Sequence, residues 1–230
     1  MTLAQDLVGV IPLLEGGDRL TRLEFERRYL AMPHCKKAEL IEGRVYMASP
    51  VRARKHGRPH GEMMGWLYIY QSELPGLELL DNATVRLDED NEPQPDCCLR
   101  IATEFGGQST VSADDYIEGA PELVVEIAAS TASYDLHEKK ETYRRHGVQE
   151  YLVWRVIDRA IDWFCLVEGN YVLLPIDDDG IIRSRFFPGL WLSVADVLAW
   201  NTTGVLVGLR QGMTSAEFAA MLKKTSQISE

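Results

Sequence analysis

The chain has 230 residues, 46% of them apolar and 26% charged, with a formal net charge of −11. That length suits one sizeable domain with its own core, and no stretch reaches the roughly 18 continuous apolar residues of a membrane span. An acid excess of this size disfavours nucleic-acid binding over a broad surface, so a polyanion would have to meet a local basic patch or a metal.

In chain order, "MTLAQDLVGVIPLLEGGDRL" has a short apolar stretch with no basic flank, broken by Asp6, Gly9 and Pro12, which argues against a signal peptide. Residues 1–20 read as an N-terminal arm. "RLTRLEFERRYLAMP" predicts a helix with a capping box from Thr21 and Glu24, and with Leu23, Phe25 and Leu30 in its apolar pattern. "KKAELIEGRVYMAS" predicts two short strands about a Glu42-Gly43 turn. "PVRARKHGRPH" is basic and loop-like. "GEMMGWLYIYQSEL" predicts a largely buried helix through Met63, Met64, Trp66, Leu67 and Tyr70, stopped at Pro75-Gly76.

"NATVRLDEDNEPQPDCCLRI" reads as two strands joined by an acidic loop, and "TEFGGQSTVSADDYIEGAP" as a loop with one helical turn. A strand "ELVVEIAAS", a helix "SYDLHEKKETYRRHG" and a strand "EYLVWRV" follow. "AIDWFCLVEGNYVLLPI" predicts a hairpin around Glu168-Gly169-Asn170, and "SVADVLAW" and "TSAEFAAMLKKT" start with cap-like Ser193 and Thr214. Without repeats or a long Ser/Gly linker, this order argues for one α/β domain around a mixed sheet, over residues 21–200, with a helical extension over 201–230. Cys35, Cys97, Cys98 and Cys165 form no CxxC pair, which suits free thiols in a reducing cytoplasm.

Two acids stand out because each interrupts an apolar strand: Asp96 in "PQPDCCLRI" and Glu126 in "PELVVEIAAS". Alternation puts Asp96 on one face with Cys98, and Glu126 on one face with Val124 and Ala128. On neighbouring strands the two carboxylates would lie within roughly 5 Å. Two carboxylates that close repel, and a divalent cation removes the conflict; hard oxygen ligands suit Mg²⁺ or Mn²⁺. On the following helix Asp135, Lys139 and Tyr143 share a stripe, and a lysine packed back over the sheet could order or deprotonate water. Such a set suits phosphodiester hydrolysis.

The frame "AELIEGRV … QPDCCLRI … PELVVEIAASTASYDLHEKKETYRRHGVQEYLVW" resembles the Uma-two family of restriction-endonuclease-like proteins, within the PD-(D/E)xK nuclease-like superfamily. The resemblance runs from about residue 20 to 200. It implies a restriction-endonuclease-like α/β core, a mixed sheet flanked by helices, with a divalent-metal site. Asp96 and Glu126 are then the metal ligands, a backbone carbonyl near Ile127 a further ligand, and Glu39 an auxiliary acid. The wider superfamily pattern puts its lysine two residues after the glutamate, but Ala128 stands there; the match falls on Lys139 of the helix rather than Lys140. Family members also carry a histidine after the "SP" turn, here His56.

Other readings of the same residues stay open. Asp96 could cap a strand after Pro95, and Glu126 could sit in a structural salt bridge to Arg100 or Arg144. Arg52, Arg54, Lys55, His56 and Arg58 could contact the phosphates of DNA beside a metal, or form a solvated loop. His56 and His60 are four apart, but Gly57 and Pro59 between them disfavour a regular helix. The reading is a Mg²⁺- or Mn²⁺-dependent DNA endonuclease, expected to be a cytoplasmic homodimer. Its rival is a non-catalytic interaction or regulatory protein that keeps the fold.

Overall fold

The computed structural model describes residues 11–48, 50–129 and 132–228. The first half of the expected arm, with Asp6 and Gly9, and Ser49 of the "SP" turn therefore lie outside the described residues.

Helix α1 (Arg22–Leu30) precedes a hairpin of β1 (Ala38–Ile41) and β2 (Arg44–Met47). Its two-residue turn needs left-handed backbone, and Glu42 and Gly43 supply it at φ 53° and 68°. A π-helical turn, Ala53–Gly57, runs into α2 (Arg58–Ser72). There follow β3 (Leu77–Asp81), β4 (Val85–Arg86), β5 (Cys97–Ile101), β6 (Thr110–Val111), β7 (Ile117–Glu118) and β8 (Leu123–Ala128). Then come α3 (Ala132–Tyr134), a second π-helical turn (Asp135–Lys139) and α4 (Lys140–Arg145). The chain continues through β9 (Glu150–Arg155), β10 (Ala160–Val167), β11 (Asn170–Leu173), β12 (Ile181–Arg183) and β13 (Trp191–Ser193). It closes with α5 (Val194–Leu198), α6 (Thr202–Met213) and α7 (Ala216–Ser226).

The main sheet runs β11-β10-β9-β8-β5-β3 and is mixed, with β8 and β9 parallel and the other pairs antiparallel. Parallel neighbours cannot be joined by a tight turn, so the chain between them must cross a sheet face, and the helical stretch through residues 132–145 does so. All six residues of β8 are buried, as a central strand covered on both faces requires. Leu123, Val125 and Ile127 pack with Met63, Trp66, Leu67 and Tyr70 of α2 and with Val205 and Leu209 of α6. Val124 and Ala128 pack on the other side with Tyr143, Tyr151 and Val153. Glu126 therefore faces the crossover helix. Trp66 Nε1 donates to Trp191 O at 3.1 Å and Tyr70 OH to Pro188 O at 2.8 Å, which ties α2 to the segment around β13.

Several local expectations are corrected. Thr21 makes no side-chain cap, and the Glu24 carboxylate is taken by Arg27 and Arg28 at 2.7 Å each. Only Phe25 of that helix is buried, while Leu23 and Leu30 are exposed. The basic "RARKHGRPH" stretch is helical, not a loop. Pro59 falls just after the π-helical turn, at the second residue of α2. In "NATVRL" only Val85 and Arg86 form a strand, and it pairs with β7 in a separate small sheet. Ser215 rather than Thr214 caps α7, accepting from Phe218 N at 3.2 Å. Strand β3 and helix α6 are additions to the predicted elements.

Candidate active site

Strands β5 and β8 are antiparallel neighbours in the register Cys97↔Val125 and Cys98↔Val124. One step along, that register sets Asp96 opposite Glu126. The two are tied through the backbone: Ile127 N–H donates to Asp96 Oδ2 at 2.8 Å. His56 Nε2 shares that oxygen at 3.1 Å, and Lys37 Nζ reaches Oδ1 at 3.2 Å. His60 Nε2 lies 3.0 Å from the carbonyl of Asp96 and 3.1 Å from Asp81.

Glu126 is held from the crossover helix. Lys139 Nζ donates to Glu126 Oε1 at 2.8 Å, and Tyr143 OH to the same oxygen at 3.1 Å. Lys139 also contacts Glu39 Oε1 at 2.8 Å, and Gln94 N–H donates to that oxygen at 2.8 Å. Glu39 arrives on β1 because the hairpin pairs with the Glu92 backbone in both directions. Tyr46 of β2 completes the clamp by hydrogen bonding to Glu138 and packing its ring 4.2 Å from that of Tyr134. Asp135, Lys139 and Tyr143 are all buried, as their shared stripe demands.

Electrostatics separates the two acids. Burial works against the charge of Asp96, but His56, Lys37 and the Ile127 amide outweigh it and hold the carboxyl below the usual range. Burial pushes Glu126 up; Lys139 pulls it down by less, and Asp96, Asp135 and Glu39 push further. Burial alone would strip the proton from Lys139, yet Glu126, Glu39 and Asp135 keep it charged, well above the ordinary lysine value. Lys37 is likewise raised, since Glu39, Asp96 and Glu126 overcome its desolvation. A lysine held charged in this way is a hydrogen-bond donor. Glu39, Asp96, Glu126 and Asp135 bring four carboxyl groups close to the ammonium groups of Lys37 and Lys139. Hard oxygen ligands of this kind suit Mg²⁺ or Mn²⁺, and Asp96 and Glu126 are the carboxyl groups that could hold such an ion, although no group of three or more His, Cys, Asp or Glu placed to hold a metal occurs among the described residues.

Asp96, Glu126, Lys139 and Glu39 thus meet in one place. Arg100 and Arg144 do not join them: Arg100 pairs with Glu78 and Arg144 with Glu141. Glu126 is nonetheless ion-paired, to Lys139. Among the basic residues, His56 reaches the site. Arg52, Arg54 and Lys55 are exposed on the adjoining π turn, with no ion pair among the described residues, and Arg58 stacks over Trp200 at 4.3 Å. The basic residues of "KKETYRRH" on the crossover helix are engaged elsewhere, Arg145 with Glu42 and Lys140 over the Phe164 ring at 3.7 Å. Lys37 and Tyr143 are site residues that sequence reasoning missed as such. Tyr143 was on the right stripe, but nothing in the spacing singles out Lys37 from Lys36.

No helix among the described residues is long and apolar enough to cross a membrane. No curated protein matches the chain. Among solved structures it is similar to a crystal structure described as a "putative nuclease", from Anabaena variabilis. The identity is 15% and the TM-score 0.59, covering 76% of this chain and 97% of that one. At that identity the likeness establishes the fold: an α+β arrangement with a mixed sheet flanked by helices, as the sequence implies. The Uma2 family, described as "Putative restriction endonuclease", matches residues 23–195, a span holding Glu39, Asp96, Glu126 and Lys139. The chain belongs to the Uma2 family.

Proposed function

We propose that the protein is a metal-dependent endonuclease that hydrolyses phosphodiester bonds of DNA. The observation that carries this reading is the buried pair of Asp96, which stands one residue before β5 rather than within a strand, and Glu126 of β8, with Lys37 on the first and Lys139 on the second. Membership of the Uma2 family supports the same activity. Asp96 and Glu126 would hold Mg²⁺ or Mn²⁺, which supplies Lewis acidity toward a phosphoryl oxygen and makes nearby water more acidic. The chain's own groups set the stage. Ile127 N–H and His56 orient Asp96, and Tyr143 and Lys139 orient Glu126. Lys139 has a third N–H with which to order the attacking water. Glu39 fixes Lys139 from the far side. The exposed Arg52, Arg54, Lys55 and Arg58, on the segment that carries His56, would meet the DNA backbone, which would reconcile the net charge of −11 with a polyanionic substrate.

The rival, a non-catalytic module, is favoured by one observation: the Lys139 bridge gives Glu126 a partner without any metal. Cleavage of supercoiled plasmid and single-stranded DNA with Mn²⁺ decides between them, for wild type beside folded Asp96→Ala, Glu126→Ala and Lys139→Ala. Metal-dependent nicking lost in all three variants sustains the nuclease reading. Wild type with neither nicking nor a Mn²⁺-induced rise in melting temperature supports the module. A thermal shift without cleavage keeps the metal site and rejects these substrates.

A further inference from the structure

The acid pair is bracketed by two lysines in different surroundings. Lys139 leaves 3% of its side chain exposed and spends two N–H groups on Glu126 and Glu39. Lys37 leaves 22% of its side chain exposed and touches Asp96 Oδ1 at 3.2 Å and Asn82 Oδ1 at 3.1 Å. Both its anchors are themselves held. Asn82 donates from its side chain to Asp81 at 2.6 Å, and from its backbone to Asp96 O at 3.3 Å. The backbone of Lys37 is pinned in turn, accepting from Ala48 N–H at 3.2 Å. His56, on the other oxygen of Asp96, is 23% exposed. The open side of the site is thus walled by Lys37 and His56, and the sealed side by Lys139, Glu39 and Tyr143.

A phosphodiester bears its charge on non-bridging oxygens and can approach these acids only from the open side. There it meets an ammonium with three donors, two of which are used by Asp96 and Asn82. Lysine binds phosphate as a point charge, so the remaining N–H needs no fork geometry. We propose that Lys37 is a second catalytic cation of this site, contacting a non-bridging oxygen of the scissile phosphate while Lys139 fixes the acids from beneath. The assignment rests on the phosphodiesterase reading above.

The test compares the full-length wild type with Lys37→Ala, Lys37→Arg and the exposed neighbour Lys36→Ala. Three quantities are measured: the Mn²⁺-induced thermal shift, single-turnover nicking of supercoiled plasmid in Mn²⁺, and binding of a fluorescein-labelled duplex oligonucleotide in Ca²⁺. Lys37→Ala should keep the thermal shift and lose nicking by about 100-fold or more, the scale on which removal of a transition-state donor acts. Lys37→Arg should recover part of that loss, and Lys36→Ala should match wild type. Lys37→Ala nicking at the wild-type rate would overturn the proposal. So would loss of the thermal shift together with nicking, which marks a residue that only supports Asp96. If wild type binds the duplex but never nicks it, the nuclease reading fails and binding judges Lys37 alone. Weaker binding by Lys37→Ala then sustains the phosphate contact, and unchanged binding overturns it. A wild type that neither binds nor nicks overturns both.

Discussion

Replacing Lys139 by methionine removes the one ammonium that sits between two buried carboxylates. Both contacts are 2.8 Å, and among the described residues each acid has one further donor, Tyr143 OH for Glu126 and Gln94 N–H for Glu39. Removing one partner of a buried pair costs about 3–5 kcal/mol, because the stranded charge has lost both its partner and its water. In a chain of this length each kcal/mol is worth about 2–4 °C, so the melting temperature at pH 7 should fall by about 6–20 °C. Circular dichroism melts at pH 7 and pH 5 measure this. The loss should shrink at pH 5, where the stranded acids take up protons more easily, and Mn²⁺ should restore part of it at pH 7. Adding Glu126→Gln to Lys139→Met should cost less than the two single losses together, since the first change removes what the second leaves exposed. A fall of under about 1 kcal/mol, equal at both pH values, would refute the claim that Lys139 carries the compensating charge, since surface substitutions routinely cost that little.

Glu126 also predicts a pH dependence. Its folded pKa lies above the ordinary 4.5, chiefly through burial, so its proton stabilises the fold fully below 4.5 and that contribution is lost as pH rises through the raised value. Wild-type stability without metal should therefore decline above pH 5, while Mn²⁺ affinity by calorimetry should climb over the same range, because the ligand must shed its proton. Glu150 is a site-independent control. Its carboxylate takes donors from Arg185 N, Phe186 N, Ser184 Oγ and Trp163 Nε1 between 2.7 and 3.1 Å. Glu150→Ala should cost about 2–5 kcal/mol in chemical denaturation by stranding buried donors, and leave the Mn²⁺-induced shift intact. Gly107→Ala should destabilise by at least about 1–3 kcal/mol, since a Cβ there would lie 1.8 Å from Ile101 O. If the exposed basic turn meets DNA, the Arg52→Ala/Arg54→Ala/Lys55→Ala chain should bind duplex with a salt slope reduced by about one per lost phosphate contact.

The clearest element is legible because burial on both faces leaves a plain mark: β8 has six residues, five of them apolar, and the one break is Glu126. Lys139 is legible by its stripe, since Asp135 and Tyr143 share its burial. Helix α6 is not, because Gly204, Gly208 and Gly212 lower its helical preference. Two of those glycines answer to packing instead. A Cβ on Gly204 would sit 2.3 Å from Asp196 Cγ, and one on Gly212 would sit 2.3 Å from Gly189 O. Strand β3 escapes because an edge strand of half-buried residues after Pro75-Gly76 resembles a loop. Lys37 and His56 depend on where the hairpin and α2 dock against β5, and no local pattern encodes that placement.

Two of the three helical side chains that reach the acids come from π turns, His56 from Ala53–Gly57 and Lys139 from Asp135–Lys139, and the third, Tyr143, follows one turn on in α4. A π turn holds one residue more than the α turn it replaces, and each residue of an α-helix advances by about 100° around its axis. Deleting the exposed His137 would let the crossover close as an ordinary α-helix and swing one half of it by about that angle. Lys139 and Tyr143 could not then both stay on Glu126, although every acid and lysine of the site would still be encoded. A one-residue gap in this stretch of a related chain is therefore a sharper sign of a dismantled site than many substitutions would be.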